Sequence, residues 1–272
     1  MGELDGVRIG VTAERRADDL IGALTRAGAD VRHAPTITIV PLPDDPRLRA
    51  ATEDVLARPI GFTAVTTGAG FCGWLEAAEG WGLRRPLLDA FAASRIFARG
   101  PKAVGALRGA GLREEFSAPG ESNAELFGGL VDAGVSGARI AVQLHGTPLP
   151  EYTNLLADAG ASPIAVQPYR WHSPPNTEPV LSLVHDVLSG GVEAIAFTSA
   201  PAAANFLALA AEHGRREELL AVLRRGDVVC ACVGPVTAAP LEDAGIRTVQ
   251  PERQRLGALV KLLVTVLAKG SS

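Results

Sequence analysis

The sequence predicts an α/β protein of two similar parallel-sheet lobes joined by a two-stranded hinge. Short apolar runs alternate with helical patterns along nearly all of the 272 residues. Pieces of the chain recur in order roughly 130 residues later, a distance that excludes a short solenoid period. Two proline-flanked, extended stretches lie where the recurring parts meet.

Val7–Val11 reads as the first strand. Arg15–Ala27 follows as a helix, with Leu20, Ile21, Leu24 and Ala27 at helical spacing and Gly28 as its stop. Strands are predicted again over Phe62–Thr66, Ile96–Ala98, Ile140–Leu144, Ala194–Thr198 and Val228–Val233, each before a helix-like segment. The recurrences match this rhythm. Gly6–Ile9 (GVRI) resembles Gly137–Ile140 (GARI), and Ala27–Ala29 (AGA) equals Ala159–Ala161. Thr66-Thr67 corresponds to Thr198-Ser199. Gly100-Pro101 and the later Ala110-Gly111 correspond to Gly234-Pro235 and Ala244-Gly245.

Pro35–Pro41 and Gln167–Pro175 are extended because proline disfavours helix at and before itself. Run side by side, they would be a double linker. Residues 1–36 plus 174–272 then form a discontinuous lobe one, 42–167 lobe two, and 37–41 with 168–173 the hinge. A double hinge implies a cleft, a favoured place for ligands.

Hydrophobic residues make up 47% and charged residues 21%, enough apolar side chain for a sizeable core and too much for disorder. A net charge of −4 is the wrong sign for a free-standing nucleic-acid binder, so no nucleic-acid partner is expected through this chain alone. Three cysteines are too few for a disulfide framework and point to a reducing compartment. Residues 1–8 lack the apolar core of a signal peptide, and Leu256–Ala268 is interrupted by Lys261 and too short for a bilayer. A cytoplasmic monomer with no membrane partner is expected.

Gly68–Gly73 spells G-x-G-x-x-G between a strand and a helix, the context of a dinucleotide fingerprint. No ribose-binding acid ends the next strand, and the recurrence at Ser199 lacks the glycines, so tight turns account for them better. Thr66-Thr67-Gly68 and Thr198-Ser199-Ala200 each lie between a strand and a helix N-terminus, where backbone N–H groups and hydroxyls suit carboxylates or phosphates. Gly100-Pro101 and Gly234-Pro235 are a second such pair, with Arg99 and Lys102 adding charge to the first. Any single turn reads as an ordinary cap; four in two matched pairs favour an anionic ligand. Cys230 and Cys232 share one strand face without a His partner, and the five histidines lack zinc spacing, so no metal is expected. His145 reads equally as cleft-lining or as a solvated loop residue. Tyr169, between Pro168 and Arg170, reads either as a proton donor facing the cleft or as an aromatic packing the linkers.

These residues together resemble the uroporphyrinogen-III synthase family over essentially the whole chain. The likeness is carried by Val11-Thr12 with the helix ending in Ala27–Ala29, by Gly100–Arg108, by Tyr169-Arg170, by Phe197–Ser199 and by Cys232–Ala238. The resemblance implies two α/β lobes on a two-stranded linker and a reaction that needs no cofactor. In it, linear hydroxymethylbilane, an acidic tetrapyrrole, is closed with inversion of its last pyrrole ring and loss of water. It implies that Tyr169 assists departure of the substrate hydroxyl and that Thr198, Ser199, Gly234 and Thr237 hydrogen-bond its carboxylates. Thr12, Arg15, Thr66, Thr67, Gly68, Gly100, Lys102, His145 and Ala200 stand at the other turns expected to hold substrate. Three turns depart from the family pattern. Thr12 is followed by Ala13-Glu14-Arg15 in place of Arg-Pro, Thr66–Gly70 replaces Thr-Ser-x-Asn-Gly, and Gln143–Gly146 stands where many members have Arg-Gly. These departures resemble an actinobacterial branch fused to a response-regulator-type DNA-binding domain. A second expectation follows: a ligand-sensing module of a transcriptional regulator whose DNA-binding domain is absent from this chain. A two-lobed solute-binding protein is the remotest reading, since no export signal is seen.

Overall fold

The computed structural model describes residues 2–268. The chain opens with β1 (Arg8–Val11), α1 (Ala17–Arg26), β2 (Asp30–His33), β3 (Thr38–Pro41) and α2 (Pro46–Ala57). It continues through β4 (Phe62–Val65), α3 (Gly68–Gly80), α4 (Arg84–Ala92), β5 (Arg95–Ala98), α5 (Pro101–Gly109), β6 (Phe116–Ser117) and α6 (Asn123–Asp132). Next come β7 (Arg139–Gln143), α7 (Pro150–Asp158), β8 (Ser162–Val166), β9 (Tyr169–His172) and α8 (Glu178–Leu188). The last elements are β10 (Ala194–Phe197), α9 (Ala200–Glu212), α10 (Arg216–Arg225), β11 (Val229–Cys232), α11 (Pro235–Glu242), β12 (Thr248–Val249) and α12 (Leu256–Ala268).

Two compact units result. Among the described residues, 2–38 with 172–268 form the first and 39–171 the second. The first holds a parallel sheet of order β12-β11-β10-β1-β2, the second a parallel sheet of order β6-β5-β4-β7-β8. Position by position, β10, β11, β12, β1 and β2 occupy the places of β4, β5, β6, β7 and β8. Every recurrence in the sequence lies on such a pair: β1 on β7, the turns before β2 and β8, the ends of β10 and β4, those of β11 and β5, and the turns before β12 and β6. The two-lobed α/β class is therefore correct, with one unit a circular rearrangement of the other. The two proline-flanked stretches pair as the separate sheet β3-β9, and each crosses the division between the units.

Strand alternation separates two cores in each unit. In the second unit Phe62, Ala64, Ile140 and Val142 pack on one face with Leu126, Phe127 and Leu130 of α6. Val65 and Ala141 face the other way, against Phe71 and Trp74 of α3 and Phe91 of α4. In the first unit Ala194 and Ala196 join Leu20 and Leu24 of α1 and Leu259 and Leu263 of α12. Ile195 and Phe197 lie with Cys230 and Cys232 against α8 and α9. Both thiols are thus core side chains, and burial pushes each up to about 12. Sheets covered on both faces explain why the strands read as continuous apolar runs.

Some sequence-based boundaries need correction. The first helix starts at Ala17, because Arg16 takes a left-handed conformation (φ 55) ahead of it and leaves Arg15 in the preceding loop. Thr66 and Thr198 lie just past β4 and β10, in the turns that lead to the next helix.

Candidate functional site

In each sheet the chain winds outward in one direction and then starts again on the other side of its first strand. The reversal falls between β4 and β7 in the second unit and between β10 and β1 in the first. Loops diverge there at the carboxyl ends of the strands, which is where open α/β sheets bind ligands.

In the second unit these ends carry a connected polar group. Thr66, buried, donates its hydroxyl to the Gln143 carbonyl at 2.8 Å, tying β4 to β7. Thr67 is the N-cap of α3, its hydroxyl oxygen accepting from the Gly70 N–H at 3.1 Å. Its own N–H donates to Gln143 Oε1 at 3.0 Å, and its hydroxyl lies 3.4 Å from the Tyr169 hydroxyl. The structure thus brings Tyr169 and Thr67 together, and Thr66 is a structural tie whose O–H is already engaged. Thr66 is in this respect corrected from a ligand donor to a strand clamp.

The G-x-G-x-x-G run lies within α3 from its first residue. Its glycines answer to close approach. A side chain at Gly68 would strike the Lys102 carbonyl on α5, and one at Gly70 would strike the Gln143 amide. The motif packs a helix and admits a buried glutamine, with no open phosphate loop.

Beside this group, Arg99 follows β5, half-buried, with its N–H on the Val65 carbonyl at 3.0 Å. Its guanidinium reaches Asn123 Oδ1 at 3.4 Å and forms no ion pair among the described residues. Burial works against its charge while Tyr169 and Glu121 favour it. Glu121, in a left-handed conformation (φ 58), lays its side chain across Gly100. A Cβ at Gly100 would lie 3.0 Å from Glu121 Cγ, so this glycine answers to the close approach of that side chain. Lys102 is exposed in the first turn of α5.

His145 is half-buried, and its Nδ1 has no hydrogen-bond partner; Trp171 Nε1 is buried and unpartnered in the same way. The solvated-loop reading of His145 is set aside. Burial, reinforced by Arg99, pushes its pKa down to about 4. A depressed histidine pKa costs stability as pH falls. The unfolded chain takes up a proton below about 6.5, while the folded protein resists until about 4. Between those values wild type is expected to lose stability, by on the order of 3 kcal/mol, that His145→Gln keeps. Denaturant titrations at pH 7 and pH 4 read this as a difference of differences; parallel pH curves would contradict it.

The first unit repeats the frame with different side chains. Ser199 caps α9, accepting from the Ala202 N–H at 3.4 Å, as Thr67 caps α3. Thr198 and Ala200 flank it, half-buried. Gly234 begins α11 as Gly100 begins α5, and Gln254 lies across it where Glu121 lies across Gly100. Thr237 is buried in the first turn of α11. Thr12, after β1, is buried and donates to the Ala196 carbonyl at 3.1 Å, so like Thr66 it clamps two strands and has no spare O–H. Arg15 is exposed in the loop after Thr12. The sequence reading missed Asn205, which donates to the Thr36 carbonyl at 2.5 Å and to Ser173 Oγ at 3.2 Å. It ties the segments before β3 and after β9 to α9. It also missed Gln143, Glu121 and Trp171. Among these only Gln143, a polar residue ending an apolar strand, carried a sequence signal.

Among the described residues no His, Cys, Asp or Glu cluster could hold a metal ion, and no helix is long and apolar enough to cross a membrane. Fold and site together define a protein of two α/β units with polar groups gathered at the carboxyl ends of parallel strands. The family described as Uroporphyrinogen-III synthase HemD matches residues 18–261, and the chain belongs to that family. It is 29% identical over 259 residues to a Bacillus subtilis protein named Uncharacterized protein YjjA, covering 94% of each chain. A crystal structure of a mutant uroporphyrinogen III synthase from Thermus thermophilus is similar with a TM-score of 0.76 and 28% identity, over 97% of this chain and 100% of that one. The uroporphyrinogen-III synthetase of Helicobacter pylori 26695 shares the fold at a TM-score of 0.57 and 12% identity, over 96% and 99% of the two chains.

Proposed function

We propose that the protein is a uroporphyrinogen-III synthase that closes hydroxymethylbilane with inversion of the last pyrrole ring and loss of water. Family membership over most of the chain supports that reaction class. The observation that carries the reading within the site is Arg99, a half-buried cation without an ion-paired carboxylate, beside a phenol. A partly buried guanidinium that no carboxylate pairs directly, with Glu121 acting on it only from farther away, suits a further anion, and the substrate of the proposed reaction is a polycarboxylate. The Tyr169 phenol supplies a proton without first being ionised, which suits expulsion of a hydroxyl as water. Neutral His145 stands near the same cation, and its Nδ1 and the Trp171 Nε1 are buried polar atoms without partners. Thr67 and Gly68 in the second unit, and Thr198, Ser199, Ala200, Gly234 and Thr237 in the first, stand at strand-to-helix turns of the kind that suits a carboxylate, each unit taken by itself. No step in this reading uses a cofactor.

Freshly generated hydroxymethylbilane tests it. Uncatalysed closure gives the type I isomer, so the expected result is type III product well above a boiled control. Type I alone would remove the synthase reading and leave that of a ligand-sensing module of the regulatory kind. Binding of a tetrapyrrole without turnover would then be the property to measure.

A further inference from the structure

We propose that Gln143 is a positioning residue for the Tyr169 phenol, acting through the Thr67 hydroxyl; the inference rests on the synthase reading above. Gln143 ends β7 and is completely buried. The Thr67 N–H donates to its side chain, which identifies that atom as the amide oxygen. The amide nitrogen then donates to the Leu144 carbonyl and, at 3.4 Å, to Thr67 Oγ1. Oγ1 accepts a second bond from the Gly70 N–H at 3.1 Å.

A hydroxyl has one proton and two acceptor lone pairs. Both acceptor positions of Thr67 are filled, so its single proton is directed at the remaining neighbour, the Tyr169 oxygen at 3.4 Å. Tyr169 therefore receives a hydrogen bond on its oxygen. That bond stabilises the negative charge that develops when the Tyr169 O–H bond breaks and its proton joins the departing hydroxyl. The carbon–oxygen pair leaves with the oxygen as water, the positive charge stays on the pyrrole-methylene fragment, and the O–H pair stays on the phenol. Without the amide N–H, one lone pair of Thr67 opens. Its hydroxyl can then turn and accept from Tyr169, which works against proton release.

Gln143→Glu tests this with little change of shape: one oxygen still accepts from the Thr67 N–H, and the single O–H of the buried, neutral carboxyl goes to the Leu144 carbonyl, which leaves Oγ1 without that donor. It is expected to lower kcat about tenfold while KM stays within about twofold. Gln143→Leu should do the same wherever it folds. In a Tyr169→Phe background Gln143→Glu should have no further effect, because the relay then has nothing to act on. An unchanged kcat, or an equal loss in the Phe background, would overturn the proposal. A second readout does not depend on turnover. The chain has two tyrosines, Tyr152 and Tyr169. In a Tyr152→Phe protein, ultraviolet titration of Tyr169 should move to higher pH on Gln143→Leu, and no movement would overturn the relay. If wild type forms no type III product, the synthase reading falls and the titration alone decides the relay.

Discussion

Tyr169→Phe is expected to lower formation of the type III product by about 10²–10⁴-fold, the usual worth of a positioned proton donor. Folding should be nearly unaffected. The half-buried ring is kept, and the bond between the phenolic oxygen and Thr67 is long at 3.4 Å, so its loss should cost about 1 kcal/mol. The substitution leaves Arg99 in place, so KM should change far less than kcat. Steady-state rates with isomer analysis, together with a thermal midpoint, separate the two effects. A variant with wild-type turnover would take Tyr169 out of the mechanism and return it to the other role open to it from sequence, an aromatic that packs the linker strand.

The fold was legible in the sequence because the repeat lies in the backbone plan. Glycine and proline at turns, and apolar runs at strands, are set by local geometry that both units share. Val65, Ala141, Ile195 and Phe197 announce themselves as core whatever ligand is bound. The site was only half legible. Thr67 and Ser199 stand out as hydroxyls at helix starts, and both are caps. Thr12 and Thr66 carry the same signal but clamp neighbouring strands through carbonyls that are remote in sequence. No local pattern distinguishes a threonine that faces a ligand from one that ties two parallel strands. Glu121 and Gln254 were invisible for the same reason: each meets its glycine only after the chain has folded back. The G-x-G-x-x-G run misleads in the opposite direction. It has the right letters, but they answer to α5 and Gln143 on the neighbouring elements.

Gly146→Ala is expected to destabilise the protein by about 2–5 kcal/mol, and its position makes it informative about function as well. Gly146 follows His145 at φ +76, a conformation costing roughly 1–2 kcal/mol for a residue with a Cβ. The added methyl would collide with the Trp171 indole and lie 3.1 Å from Tyr169 Cε2; overpacking of that kind costs about 1–3 kcal/mol. Both rings belong to β9, and a bridge between Gly146 and Arg170 holds that strand here, with Gln167 Nε2 on the Gly146 carbonyl at 3.0 Å. Relief of the collision must therefore move the strand that carries Tyr169. The variant should lose turnover in excess of its loss of folded protein, measured by isomer-resolved rates at a temperature where circular dichroism shows it fully folded. Gly146→Ala with wild-type kcat in the folded state would mean that Tyr169 tolerates displacement. The phenol would then not require the placement that Thr67 gives it.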